Sequence, residues 1–330
     1  MDRIVDRIKG CLIGVAAGDA MGMPSSMMSP ETIRQVFGYI DHFLPAPPDH
    51  ILHGGLPAGA VTDDTQQTFL LADSIIACQA IVPEDIARRL IAWAEANQAF
   101  SSMLVGPSSL RALAAIRAGK PIYESGRVGD TNGAAMRIAA VGIYGKGNLE
   151  QTVAAVEKAC LPTHNTNVAI AGAAAVAQAI GLGLQGEVNL DKLIDGALEA
   201  ARLGLQRGNR WYGASIMDRT NIAMKIISSV KDRHIQMEKL YDIVGTGVQM
   251  AETVPTSLAI VKLVNGDPVE GVITAANMGG DCDTIGAIVG AIGGAIRGAN
   301  AFPKEWIELL QEVNGYDFDW YAGKLYELIK

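Results

Sequence analysis

Apolar residues recur at helical spacing along the whole chain, and no stretch of useful length alternates apolar with polar residues as a half-buried strand would. Ile4, Ile8, Cys11, Leu12 and Val15 fall on one face; after Thr62-Asp63-Asp64, the residues Phe69, Leu70, Ala72, Ile75 and Ile76 repeat the pattern. The spacing predicts further helices over 84–98, 108–118, 150–159, 166–184, 190–205, 215–230, 236–250, 269–276, 282–297, 303–313 and 318–329. An all-α fold follows. With no disordered linker and no repeat of fixed period in 330 residues, one domain over 1–330 is expected rather than two. Within the helix after Asp283, Gly286, Gly290, Gly294 and Gly298 recur every four residues. Each interior glycine costs about 1 kcal/mol against alanine, so the stripe implies a neighbour in close contact and a central place for this helix.

The segment from Leu44-Pro45-Ala46-Pro47-Pro48 to Gly54-Gly55-Leu56-Pro57 is the one long loop, and loops of that length are more often functional than idle. Two apolar stretches invite comparison with membrane spans. Thr284 to Ile296 is 13 uncharged residues before Arg297, short of the roughly 20 a span requires. Val168 to Leu184 contains Gln178 and follows His164, Asn165 and Asn167, so both read as buried core helices and no membrane partner is expected. The balance of 27 basic against 35 acidic residues, with no Lys/Arg run, argues against nucleic acid as a partner. A phosphorylated ligand stays open, since local cations and helix N-termini can hold one. Cys11, Cys78, Cys160 and Cys282 are widely spaced among apolar residues, which suits buried thiols in a reducing compartment. The N-terminus mixes acids with bases and has only Cys11 to Ala17 as an apolar run, unlike a signal peptide, so a cytoplasmic location is expected.

Two acidic segments stand out: Val61-Thr62-Asp63-Asp64-Thr65 and Gly279-Gly280-Asp281-Cys282-Asp283-Thr284. Each places two carboxylates and hydroxyls at the start of an apolar helix. Capping accounts for one Asp per helix, since Asp and Thr accept the free N–H groups and suit the dipole. The second Asp is harder to explain, because adjacent carboxylates repel unless a cation or water separates them. If metal binds, the candidate ligands are oxygens of Thr62, Asp63, Asp64, Asp281, Asp283 and Thr284. That donor set favours Mg²⁺, with Mn²⁺ or Ca²⁺ as alternatives, and disfavours zinc. Four carboxylates match two divalent ions.

Five ordered segments carry a resemblance: Gly18-Asp19-Ala20-Met21-Gly22-Met23-Pro24, Thr62-Asp63-Asp64-Thr65, Asn132-Gly133-Ala134-Ala135-Met136-Arg137, Pro162-Thr163-His164 and Gly279 through Gly286. In this order they resemble the signature segments of the ADP-ribosylglycohydrolases, over about residues 8–300. The resemblance implies a compact all-α orthogonal bundle with a binuclear magnesium or manganese site. It also implies hydrolysis at the ribose C1 of ADP-ribosylated protein or of a ribosylated small molecule. Thr62, Asp63, Asp64, Asp281, Asp283 and Thr284 become the metal ligands of two Mg²⁺ per chain, with Mn²⁺ as the alternative.

Around them, Asn132 and Gly133 resemble the family's substrate-proximal loop. Arg137 is either a substrate contact or a structural ion pair, and His164 either meets substrate or orients its loop. Asp19 is expected to support backbone or a metal-bound water. Asp64, Asp283 or Asp130 is expected to move the proton in an oxocarbenium-like hydrolysis, Asp130 being otherwise a solvated turn residue. The chain departs from the family at Ser26, where many members carry Glu, and in Met103-Leu104-Val105-Gly106-Pro107, where relatives acting on ADP-ribosyl-arginine carry an acid. Ser26 is then expected to meet a hydroxyl or nucleobase edge, and the substrate to be smaller than ADP-ribosyl-arginine protein. The competing readings are a nucleoside or other N-ribosyl hydrolase on the same metal pair, and an ADP-ribose-binding protein with little turnover.

Overall fold

The computed structural model describes residues 3–101, 105–186 and 189–330, which form helices joined by loops, with no strand among the described residues. The first half holds α1 (Arg3–Gly22), α2 (Pro30–Phe37), α3 (Asp63–Cys78), α4 (Pro83–Ala96), α5 (Pro107–Arg117), α6 (Ile122–Ser125), α7 (Gly133–Met136), α8 (Ala139–Gly145) and α9 (Leu149–Cys160). The second half holds α10 (Asn167–Gln185), α11 (Leu190–Gly204), α12 (Ile216–Ser229), α13 (Arg233–Lys239), α14 (Met250–Leu263), α15 (Pro268–Ala276), α16 (Cys282–Arg297), α17 (Lys304–Asn314) and α18 (Phe318–Ile329). The all-α class expected from the spacing is the one observed.

The glycine stripe of α16 has a mate. Gly10, Gly14, Gly18 and Gly22 line one side of α1, and the two helices run antiparallel with their backbones in contact. A Cβ at Gly14 would stand 1.9 Å from the Gly290 carbonyl oxygen, and one at Gly18 equally close to that of Gly286. At Gly22 it would meet the Cys282 carbonyl oxygen at 2.3 Å. No side chain fits anywhere along this seam. Its consequence for function is positional, because it sets Asp19, near the C-terminal end of α1, beside the acidic N-terminus of α16.

Asp19 then fixes a third element. Fully buried, it accepts hydrogen bonds from the Thr62 amide (2.9 Å), the Thr65 amide (3.0 Å) and the Thr65 hydroxyl (2.5 Å). The start of α3 is thereby docked on α1, and the two acidic helix starts converge. Around this centre α10 packs on α8, α11 and α16, and one apolar cluster runs from Ile8 to Ile329. By length and composition α10 could cross a membrane, but 89% of its most apolar window is buried inside the protein. All four cysteines are free, and Cys11, Cys160 and Cys282 are buried.

One expected helix is wrong. The stretch 236–250 is a short α13 that passes into a π-helical turn, Leu240–Val244, and ends at Gly245 with φ +93°. The true helix, α14, begins where the expected one should stop and carries Pro255 in its interior. Proline lacks the N–H that would reach the Ala251 carbonyl. The Arg219 guanidinium donates to that carbonyl instead (3.4 Å) and to the Val244 carbonyl (3.0 Å). A side chain remote in sequence therefore permits a helix that the local pattern forbids.

Candidate active site

Capping does not account for the acids. At α3 the cap is Thr62, whose hydroxyl accepts from the Asp64 amide, which leaves both carboxylates uncommitted to the helix end. Asp63 receives the Gln67 side-chain amide (3.0 Å). Asp64 receives the Thr62 hydroxyl on one oxygen (3.4 Å), while its Oδ1 is buried with no partner among the described residues. At α16 the N-cap position is Asp281, yet its side chain makes no capping bond and instead receives the Asn132 side-chain amide. Asp283 is the most engaged of the four. Its Oδ1 accepts from the Ser26 hydroxyl (2.7 Å) and the Thr284 amide (3.0 Å), and its Oδ2 pairs with His53 Nε2 (3.1 Å).

Crowding separates the acidities of these groups. Burial, with the Asp283 and Asp19 charges adding to it, pushes Asp63 up to about 7. Burial raises Asp19 to about 6 against its hydrogen bonds from Thr65 and Thr62. Asp64 and Asp281 are held well above the usual carboxylate range by burial and the neighbouring acids. For Asp283, burial acts upward but is outweighed by the hydrogen bond and charge of His53 and by further hydrogen bonds, and the group falls to about 2.

The acids floor a cavity of about 480 Å³. Asp63, Asp64, Asp281, Asp283 and Thr284 line it, Asn132 and Gly133 form one side, and Met27, Leu52, Val105, Leu110, Met136 and Val248 supply apolar walls. No Lys or Arg is among its described lining residues. Two isolated bridges hold its rim, Met28 with Gly280 and Thr131 with Gln249. A more open groove of about 660 Å³ lies on the other side of α3, but its charged groups are already partnered, Asp73 by the Tyr321 hydroxyl and Arg89 by Asp85.

Several expected contacts lie behind this cavity rather than in it. Arg137 is 1% exposed and donates to Gln67 Oε1 (2.7 Å) and the Thr163 hydroxyl, so it braces α3 from within. His164 is fully buried, pairs with the hydroxyls of Thr163 (2.9 Å) and Thr131 (3.3 Å), and supports the turn bearing Gly133. Ser26 is also interior and gives its hydroxyl to Asp283 instead of a ligand. Asp130 lines a neighbouring cavity and accepts from the Trp211 indole N–H (3.2 Å). Thr62 is buried beside Asp64, just off the cavity surface. Leu104 and Met103 lie outside the described residues; Val105 faces the cavity.

The long loop contributes a pair of residues that the sequence argument missed. His53 reaches Asp283, and His50 holds the turn beneath it, accepting from the Leu52 (3.1 Å) and His53 (3.0 Å) amides while its Nε2 donates to the Ser26 carbonyl (2.9 Å). The two rings stack with centroids 5.1 Å apart. A His-x-x-His spacing inside a loop already marked as functional was the available signal.

Among the described residues no three His, Cys, Asp or Glu side chains already close into a metal cage. The site nevertheless suits hard cations: every donor on the floor is oxygen, the acids repel one another, and Asp64 offers a buried oxygen with no protein partner.

The chain matches the ADP-ribosylglycohydrolase family model over residues 1–330. It is 38% identical to the uncharacterized protein YegU of Escherichia coli K12, across 97% of this chain and 96% of that protein. It is 24% identical to mouse ADP-ribosylhydrolase ARH3, across 92% and 87% of the two chains. A solved structure described as an ADP-ribosylglycohydrolase-related protein complex superposes with a TM-score of 0.71 at 24% identity, covering both chains fully. The chain belongs to the ADP-ribosylglycohydrolase family, a metal-dependent enzyme family whose members are glycosyl hydrolases.

Proposed function

We propose, from that membership and from the acidic floor, that the protein is a divalent-cation-dependent hydrolase acting at C1 of a ribosyl group, with the whole chain 1–330 as one domain. The observation that carries this reading is the meeting of four carboxylates from two helix starts at one cavity, with Asp64 Oδ1 left free of protein partners. Thr62, Asp63, Asp64, Asp281, Asp283 and Thr284 would hold two Mg²⁺, or Mn²⁺. When bound, such ions offset the carboxylate charge, grip neighbouring ribose hydroxyls and lower the pKa of water.

The protein's own groups divide the proton work. The cation-free protein holds Asp283 ionised through His53 and Ser26 and keeps Asp64 protonated by burial and the neighbouring acids, a proton that bound cations would displace. Asp64, whose Oδ1 meets no donor among the described residues, is placed to move the proton, and Asp283, fixed at both oxygens, to stabilise charge at an oxocarbenium-like centre. Asn132, bonded to Asp281 and to the Thr253 hydroxyl (2.8 Å), fixes the cavity side from which the sugar is presented.

A small ribosyl substrate with an uncharged leaving group is favoured over ADP-ribosyl-arginine protein. The apolar walls would strip water from a guanidinium and carry no acid of their own among the described residues to pair it. A side-by-side assay with Mg²⁺ tests both statements, using ADP-ribosyl-arginine protein, ADP-ribosyl-serine peptide and a nucleoside panel. Turnover of a neutral ribosyl compound with poor release from arginine is expected. Efficient release from arginine overturns the specificity, and stoichiometric binding of every ligand without turnover overturns the hydrolase.

A further inference from the structure

We infer that His53 is a positioning residue for Asp283, a role that rests on the cation site proposed above: its Nε2–H locks the carboxylate in the plane in which it serves that site.

The geometry separates this role from packing. His53 is 5% exposed, and its Nδ1 is buried with no hydrogen-bond partner. An unsatisfied buried nitrogen is unfavourable, and a leucine in the same space would avoid it. Among the described residues, the ring's one polar bond is the 3.1 Å contact with Asp283 Oδ2. That contact joins two others on Asp283, from the Ser26 hydroxyl and the Thr284 amide, both on the opposite oxygen. Asp283 is bonded at both oxygens by protein donors, whereas Asp64 keeps one oxygen without a partner among the described residues. His53 is itself held, through its amide to His50 Nδ1, and His50 is tied to the carbonyl of the same Ser26 whose hydroxyl reaches Asp283. The loop thus closes a circuit around one carboxylate. Outer groups that orient a ligating carboxylate typically change cation affinity about 10–100-fold when removed.

The experiment titrates Mn²⁺ into the full chain by calorimetry and records melting of the cation-free protein. His53→Leu fills the space without a donor, His53→Gln restores a donor near the Nε2 position, and Ser26→Ala removes a second Asp283 bond. One of two Mn²⁺ sites should weaken about 10–100-fold in His53→Leu, return to within a few-fold of wild type in His53→Gln, and weaken in Ser26→Ala. The cation-free melting temperature of His53→Leu should not fall in step with that loss. Wild-type Mn²⁺ affinity in His53→Leu makes the residue merely structural and overturns the inference. Equal loss of the site in His53→Leu and His53→Gln overturns it in favour of direct ligation. Wild-type protein that takes up no Mn²⁺ overturns the cation site itself, and this role with it.

Discussion

Removing divalent cations should destabilise the protein, and more so at alkaline than at acidic pH. Unfolded aspartates ionise near pH 4, whereas in the folded protein Asp19 and the floor residue Asp63 keep their protons to about 6 and 7, with Asp64 and Asp281 also held well above the usual range. A carboxyl whose folded pKa is raised contributes stability that is complete below its unfolded pKa and lost as the pH climbs through the folded one. Each unit is worth about 1.4 kcal/mol, so ionising Asp63 alone costs the cation-free protein about 4 kcal/mol by pH 8. Asp283, held at about 2, stays ionised across this range and adds no slope. Bound cations remove the repulsion. At a hundred times the dissociation constant each site stabilises by about 2.7 kcal/mol, and two sites give a rise of about 8 °C at the entropy expected for a chain of this length. Scanning calorimetry with 10 mM MgCl₂ or with EDTA, at pH 5 and pH 8, should therefore show a difference of several degrees at pH 8 that shrinks at pH 5. Superimposable curves at pH 8, or a larger difference at pH 5, would refute the linkage.

Three further outcomes follow from particular contacts. Gly14→Val, far from the cavity, forces apart backbones with room for no Cβ, and should cost about 3 kcal/mol or more, read as a melting temperature lower by at least 4 °C. Arg137→Met strands Gln67 Oε1 and the Thr163 hydroxyl, so it should destabilise by about 1–3 kcal/mol in denaturant titration while leaving KM unchanged, unlike a substrate contact. Ser26→Glu restores the family's acid and should raise release of ADP-ribose from arginine in a product assay; no gain would show that specificity is set elsewhere in the cavity.

The sequence carried the floor of the site but not its supports. Helical period and the paired Asp-containing segments located α3 and α16, because the signals are local: a run of apolar residues after an acidic start, with a capping Thr at α3. The mate of the α16 glycine stripe was equally visible at Gly10, Gly14, Gly18 and Gly22, yet only packing shows that the two stripes face each other. The motifs leave Arg137 and His164 open between ligand contact and structural support; burial, a property of the whole fold, favours support. Helix α14 was hidden by Pro255, whose missing donor is made good by Arg219 from another helix. Helix α2 was overlooked although Ser29-Pro30-Glu31 is a helix start legible by capping and the fixed φ of proline. His53 had no local cue beyond His50, since its meaning comes from Asp283, 230 positions away in sequence.

The central claim is that the two acidic helix starts together hold a pair of divalent cations. Anomalous diffraction from crystals grown with Mn²⁺ tests it directly. Two peaks about 3.5–4 Å apart, each within bonding distance of carboxylates from the pairs Asp63/Asp64 and Asp281/Asp283, are expected. No anomalous density at the floor under saturating Mn²⁺, or density only at exposed surface acids, would contradict it.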